Sequence, residues 1–152
     1  MTDNALTDKA AFTYQLRGAF RAYEIALGRY LQSFDLPLSH FYVFQIPWLE
    51  GGHSQKHLAD HAFMSESVLS QVLKKMIEKN LVARMSTPLN MKQGRKVILT
   101  EKGNSLRNEL LAGHNMLLED FLKEAPGNEV SQSVSTLSTV RDRLNTINRS
   151  KS

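Results

Sequence analysis

Apolar side chains recur every three or four positions along most of the chain, a spacing that predicts amphipathic helices. The first such stripe covers residues 11–34, and Pro37 ends it because proline cannot continue a helix. The segment 40–50 is apolar on nearly all sides, which predicts a helix in the core. Ser39 is its predicted N-cap, and Pro47 predicts a kink or an early end.

Two shorter helices follow a pair of glycines. The third is predicted over residues 55–62, with Ser54 or His53 as its cap. The fourth is predicted from its N-cap Ser65 to about residue 79, where Asn80 supplies a residue that tolerates the left-handed conformation of a helix C-terminus. The two helices and their short connection predict a helix-turn-helix.

The remaining pattern predicts a hairpin and two more helices. The β-rich runs "LVARM" and "RKVILT" flank a loop that contains Pro, Asn and Gly. Thr100 is the predicted cap of a fifth helix, "APGN" at 125–128 ends it, and a last apolar stripe runs from Val130 to Ile147. We therefore expect a single domain, mainly α with a small β-hairpin wing. Its winged helix-turn-helix core covers about 38–103, between terminal helices at about 10–34 and 101–148.

Composition narrows the class of protein. The 152 residues include no cysteine, which excludes disulfides, thiolate nucleophiles and iron-sulfur ligation. No apolar run reaches the roughly 18 residues of a membrane span, and the polar start "MTDNALTDKA" lacks the features of a secretory signal. We expect a cytoplasmic protein that does not act at a membrane.

Positive charge is concentrated in the middle of the chain. Residues 54–103 contain nine Lys/Arg and four Asp/Glu, a balance of +5, whereas the rest of the chain carries ten and eleven, a balance of −1. Such a distribution is typical of a nucleic-acid-binding surface. Charged residues that only face solvent give the same distribution, and this is the alternative.

The fourth helix has a polar face suited to DNA. Its predicted buried stripe is Leu69, Val72, Leu73 and Met76. Short hydroxyl side chains approach base edges, Gln71 suits adenine, Val68 suits a thymine methyl, and Glu66 suits cytosine N4. An ordinary amphipathic helix is the alternative. The predicted DNA-binding residues of this helix are Ser65, Glu66, Ser67, Val68, Ser70, Gln71, Lys74 and Lys75. In the wing they are Arg84, Lys92 and Arg95.

These residues resemble a known family. "SQKHLADHAFMSESVLSQVLKKMIEKNLVAR" followed by "VILTEKG" is similar to the winged-helix core of the MarR family of bacterial transcriptional regulators, and the order of elements extends the resemblance to about residues 10–147. The resemblance implies a homodimer formed by the terminal helices, a pseudo-palindromic DNA operator, repression, and modulation by a small, often aromatic, ligand.

Three positions depart from the family pattern. Met91-Lys92-Gln93 stands where the family wing usually has Asp-x-Arg, so Arg95 is the substitute and lacks an orienting acid. Phe63 stands where the turn often has glycine, and we expect it to adopt another turn or to pack inward. Pro47 is atypical of the second helix.

Histidines offer the main alternative chemistry. His53, His57 and His61 are spaced by four residues, and two histidines at that spacing on a helix can bind zinc. No zinc motif accompanies them, so we expect structural or phosphate-side roles, with no metal and no cofactor. The family resemblance implies that all three lie on the exposed side of the third helix. Phosphate-binding loops and nucleophile motifs are also absent from the sequence, and we predict that the protein is not an enzyme.

Two questions stay open at this stage. Arg17, Tyr23, Phe41 and Trp48 are candidates for a ligand pocket, but aromatic residues of this kind also form cores. The altered wing motif and Glu66 leave a rival function, a winged-helix protein-interaction module without operator binding.

Overall fold

The computed structural model describes residues 6–85 and 96–151. Within these ranges the elements are α1 Asp8–Gln32, α2 Leu38–Phe44, α3 Gln55–His61, α4 Glu66–Glu78, β1 Val82–Arg84, β2 Val97–Leu99, α5 Glu101–Leu122 and α6 Gly127–Ser150. The expected mainly α fold with a β-hairpin wing is confirmed. Packing divides the chain into two compact units, Met1–Leu111 and Ala112–Ser152, so α5 begins in the first unit and ends in the second. That the chain forms a single domain stays a prediction.

The core of the first unit contains the apolar stripe predicted for α4. Leu69, Leu73 and Met76 have no exposed surface, and Val72 is 7% exposed. Apolar side chains from the other elements of this unit complete the core; among them are Leu27, Leu31, Phe41, Phe44, Leu58, Val82, Val97 and Leu110. Because one side of α4 is buried along its whole length, the opposite side faces solvent.

The second helix begins earlier than predicted and ends before Pro47. Ser39 as N-cap is wrong: the carbonyl of Pro37 accepts the first helical hydrogen bonds, from the backbone N–H of His40 (3.1 Å) and Phe41 (3.4 Å), and no side chain caps the helix. The helix stops at Phe44, before Pro47. Arg107 of α5 satisfies carbonyls at and beyond this end, those of Phe44 (2.6 Å) and Ile46 (3.0 Å). The predicted early end is confirmed.

Helices α3 and α4 end in the same way. After α3, the N–H of Phe63 donates to the carbonyl of Asp60 (3.4 Å) and that of Met64 to Ala59 (3.0 Å), the pattern of a Schellman motif. This motif places its first non-helical residue in the left-handed region. Phe63 accordingly has φ 56° and is 74% exposed. Our expectation that Phe63 would adopt another turn or pack inward is therefore wrong.

The end of α4 matches its prediction. Asn80 has φ 59°, and its N–H donates to the carbonyl of Ile77 at 2.9 Å, with Leu81 donating to Met76 at 2.9 Å. A left-handed Asn is compatible with this turn because its side chain tolerates that backbone conformation. The identity of residue 80 was therefore enough to predict where α4 ends.

The segment "LTEKG" joins the wing to α5 through close backbone packing. Thr100 Oγ1 donates to the carbonyl of Asn80 (2.6 Å) and accepts from the N–H of Gly103 (2.9 Å), which confirms its capping role. A Cβ atom on Gly103 would lie 1.8 Å from the carbonyl oxygen of Leu81. Only glycine fits this approach without a shift of the backbone.

The wing is an antiparallel hairpin anchored to the loop before α3. Val82 pairs with Leu99 and Arg84 with Val97. The N–H of His53 donates to the carbonyl of Val97 (2.9 Å), and the N–H of Val97 donates back to His53 (2.7 Å). This bridge ties the second wing strand to the helix-turn-helix, so the base of the wing has a fixed position relative to α3.

Candidate nucleic-acid interface

The outer face of α4 is polar and open to solvent. All eight predicted residues on it, from Ser65 to Lys75, are exposed, and Val68 is 50% exposed. Ser65 is the N-cap, as predicted, because its Oγ accepts from the N–H of Val68 at 3.2 Å. Glu66 lies in the first turn, where the helix dipole favours a carboxylate.

A shallow cleft of about 380 Å³ lies between this face and the first wing strand. Gln71 and Lys74 line it from α4, and Arg84 lines it from β1, together with Ser70, Ile77 and Glu78. The structure therefore brings one predicted wing residue, Arg84, beside the predicted base-reading and phosphate-binding residues of α4. The cleft combines amide and hydroxyl hydrogen-bonding groups with two cations.

One residue at this site was missed by the sequence analysis. Gln55, the first residue of α3, accepts a hydrogen bond from Arg84 through its Oε1, at 3.2 Å from Arg84 Nη2. The two residues are 29 positions apart in the chain. No local pattern predicts such a contact, because it depends on how α3 and β1 pack.

The far end of α4 is held to the core by a buried histidine. His40 has no exposed surface, and its Nε2 lies 3.3 Å from Lys79 Nζ. An ammonium group can only donate, so Nε2 is the acceptor and His40 is neutral. Burial, followed by the charges of Lys79 and Lys75, lowers the pKa of His40 from 6.5 to about 4. Lys102 Nζ donates to the carbonyl of Lys79 at 3.1 Å, which further fixes the end of the helix.

Two predicted wing residues, Lys92 and Arg95, lie outside the described residues. The same holds for the Met91-Lys92-Gln93 segment that replaces the family motif. Their contacts with DNA stay predictions. Within the described part of the wing, Arg84 is exposed and Lys96 is exposed beside β2.

The three histidines form a column of rings. His53 and His57 are stacked with ring centroids 4.6 Å apart, and His57 and His61 are 4.1 Å apart. The expectation that all three lie on the exposed side of α3 is wrong for His53, which precedes the helix and is 5% exposed because it joins the wing bridge. Burial lowers the pKa of His53, and its Nε2 accepts from the N–H of Leu49 at 2.9 Å. In the part of the chain that the structure describes, no three His, Asp or Glu side chains are placed to hold a metal ion.

The four pocket candidates have different environments. Phe41 has no exposed surface and belongs to the core, whereas Arg17 is exposed on α1 and Tyr23 is half-buried. Trp48 lines a cleft of about 460 Å³ with residues of β2 and the start of α5. Its indole N–H donates to the carbonyl of Val43 at 3.0 Å, so the ring is held in place.

The architecture has well-matched counterparts among solved structures. AbsC, a MarR family transcriptional regulator from Streptomyces coelicolor, superposes with a TM-score of 0.80 at 21% identity, covering 94% of this chain and 99% of its own. A MarR family transcriptional regulator from Silicibacter pomeroyi gives 0.74 at 19% identity, covering 85% and 86%. Staphylococcus aureus MarR gives 0.76 at 14% identity, covering 90% and 91%. The chain has the MarR fold.

Sequence comparison adds nothing to this identification, since the chain matches no protein-family model and no curated protein. The resemblance drawn from sequence motifs agrees with the structural neighbours. In the MarR fold of this chain, α3 and α4 form the helix-turn-helix and β1 with β2 forms the base of the wing. Across the described residues, no helix combines the length and apolar character needed to cross a membrane.

Proposed function

We propose that this protein is a sequence-specific transcriptional regulator that binds double-stranded DNA with α4 in the major groove. The observation that carries the proposal is the outer face of α4, where hydroxyl and amide groups are exposed along a helix whose opposite face is buried. In a helix-turn-helix the first turns of the second helix meet base edges. The MarR fold supports the same orientation.

The roles follow from side-chain chemistry. Gln71 donates to N7 and accepts from N6 of an adenine, and Val68 contacts a thymine methyl. Ser67 and Ser70 are short enough to let the helix approach closely. Glu66 accepts from cytosine N4. Lys74, Lys75 and Arg84 bind backbone phosphates and set affinity rather than sequence preference.

We propose that the protein acts as a homodimer. Helix α6 has no buried residue, although its apolar side chains follow a helical spacing. Such exposed apolar surface marks an interface. The large apolar side chains exposed on α1 include Phe12, Leu16, Phe20 and Ile25, and those on α6 are Val134, Leu137 and Leu144. A two-fold dimer requires a pseudo-palindromic operator with half-sites about 34 Å apart.

Repression and its relief by a small aromatic ligand are part of the proposal. The S. aureus MarR structure was solved in complex with salicylate and kanamycin. In this chain the cleft beside Trp48 offers an aromatic wall. A ligand that binds better to a subunit arrangement with the wrong helix spacing shifts the population away from DNA. Salicylate added to the protein-DNA complex should then raise the dissociation constant, and an unchanged constant would remove this part of the proposal.

The test is DNA affinity over a salt series with matched lysine variants. Lys74→Ala should weaken binding to all sequences and reduce the slope of log affinity against log salt by about 1. Lys123→Ala is the control, because Lys123 is an exposed lysine of the second unit that pairs with Asp120 at 3.2 Å. Two results would contradict the DNA-binding proposal: no binding of any duplex by the wild type, or the same affinity and salt dependence for both variants. Either result would favour the rival function, a protein-interaction module.

A further inference from the structure

The hydrogen bond between Gln55 and Arg84 connects the helix-turn-helix to the wing at the DNA-facing surface. Arg84 is exposed, at the end of β1, and Gln55 is half-buried at the start of α3. An arginine in solution samples many rotamers, and the contact at 3.2 Å removes part of that freedom before any ligand arrives. A preorganised cation loses less entropy on binding.

The chemical nature of Gln55 decides how much of the charge of Arg84 remains available to an anion. A guanidinium carries five N–H donors, and Gln55 Oε1 occupies one of them, which leaves the others for an anion. The acceptor is a neutral amide, so the positive charge of Arg84 is preserved. A carboxylate in the same place would hold the arginine more tightly but would offset the charge that an incoming anion requires.

The neighbours of Arg84 indicate which anion it receives. Arg84 lines one cleft with Lys74, and Gln71 lies on the same wall. Glu78 also lines this cleft, so the two cations there stand against one carboxylate and the local charge stays positive. Two cations beside a base-reading amide match a DNA strand, where a phosphate follows every base.

We infer that Gln55 is a positioning residue that holds Arg84 for a backbone phosphate next to the base read by Gln71. This inference rests on the proposed DNA-binding function. It assigns to α3 a role in DNA binding that does not require α3 itself to touch the DNA. Under this inference the chain has an oriented arginine at the base of the wing. The group that orients it is the amide of Gln55, whereas the usual wing motif of the family uses the carboxylate of Asp.

The experiment is a double-mutant cycle on full-length protein with a mixed-sequence duplex at low salt. A phosphate contact is independent of sequence, so the cycle does not require a known operator. Arg84→Ala should weaken binding by roughly tenfold and Gln55→Ala by roughly threefold, while the double variant should match Arg84→Ala because the two residues act as one unit. Gln55→Glu should bind more weakly than Gln55→Ala, since it keeps the contact but offsets the charge.

The outcomes separate this inference from the proposed function. If the wild type binds DNA and the losses of the two single variants multiply in the double variant, Gln55 acts independently of Arg84 and the inference is overturned. The same holds if Gln55→Glu binds as well as the wild type. If the wild type binds no duplex at all, the proposed function fails and the inference fails with it. Equal thermal unfolding midpoints for the wild type and its four variants would show that changes in affinity do not come from loss of the fold.

Discussion

The buried histidine His40 makes the stability of this fold depend on pH in a defined window. In the folded protein its pKa is about 4, and in the unfolded chain it returns to about 6.5. A histidine whose pKa is lowered by folding contributes its full stability above the unfolded value. That contribution is lost as pH falls towards the folded value, because the unfolded state binds the proton first.

The magnitude follows from the two pKa values. Between pH 7 and pH 5 the unfolded imidazole becomes almost fully protonated while the folded one stays mostly neutral. Proton linkage then lowers the free energy of unfolding by about 2 kcal/mol over this interval. With a urea dependence of about 2 kcal/mol per molar, the unfolding midpoint should fall by about 1 M from this group alone.

The control is His40→Gln, which removes the titration. Its amide oxygen retains an acceptor for the Lys79 ammonium, and every other titratable group remains. Urea unfolding of both proteins at pH 7 and pH 5, followed by circular dichroism, gives the difference directly. The wild type should lose about 2 kcal/mol more than the variant on acidification. Parallel losses would refute the assignment of His40 as a buried neutral group.

Two further predictions concern backbone positions. Phe63→Gly should raise the free energy of unfolding by about 1 kcal/mol, because glycine adopts the left-handed conformation without strain and Phe63 is mostly exposed. Phe63→Ala keeps the strain and should show no such gain in the same urea titration; equal gains would contradict the reasoning. Gly103→Ala should lower stability by about 1–3 kcal/mol, since its Cβ would meet the carbonyl of Leu81. Gly18→Ala is the control on α1, where nothing lies within 4 Å, and a Gly103→Ala midpoint equal to that of Gly18→Ala would show that the backbone adapts freely.

Local patterns were enough to predict α4, its cap and its end. The apolar stripe from Leu69 to Met76, the hydroxyl cap Ser65 and the left-handed Asn80 all depend on residues within a few positions of one another. The same is true of Thr100 at the start of α5. The exposed side of α4 was therefore predictable as soon as its buried side was known.

Other features depend on packing between distant segments. Ser39 has the chemistry of a cap, but the helix begins two residues earlier because the carbonyl of Pro37 is available. The family resemblance placed His53 with the other histidines on the exposed side of the third helix, whereas its backbone pairs with Val97 of the wing. Gln55 gave no signal at all, since its partner Arg84 is brought to it only by the folded hairpin.

The central claim is that α4 reads DNA bases, and selection of bound sequences from a random duplex pool tests it most directly. At physiological salt the wild type should recover an inverted repeat with half-sites about one helical turn apart. Gln71→Ala should recover the repeat with preference lost at one position of each half-site, a loss of roughly 1–3 kcal/mol in discrimination. Gln45→Ala, which changes an exposed glutamine after α2, should leave the repeat unchanged. Recovery of no motif by the wild type, or of the same preference by Gln71→Ala, would contradict the claim.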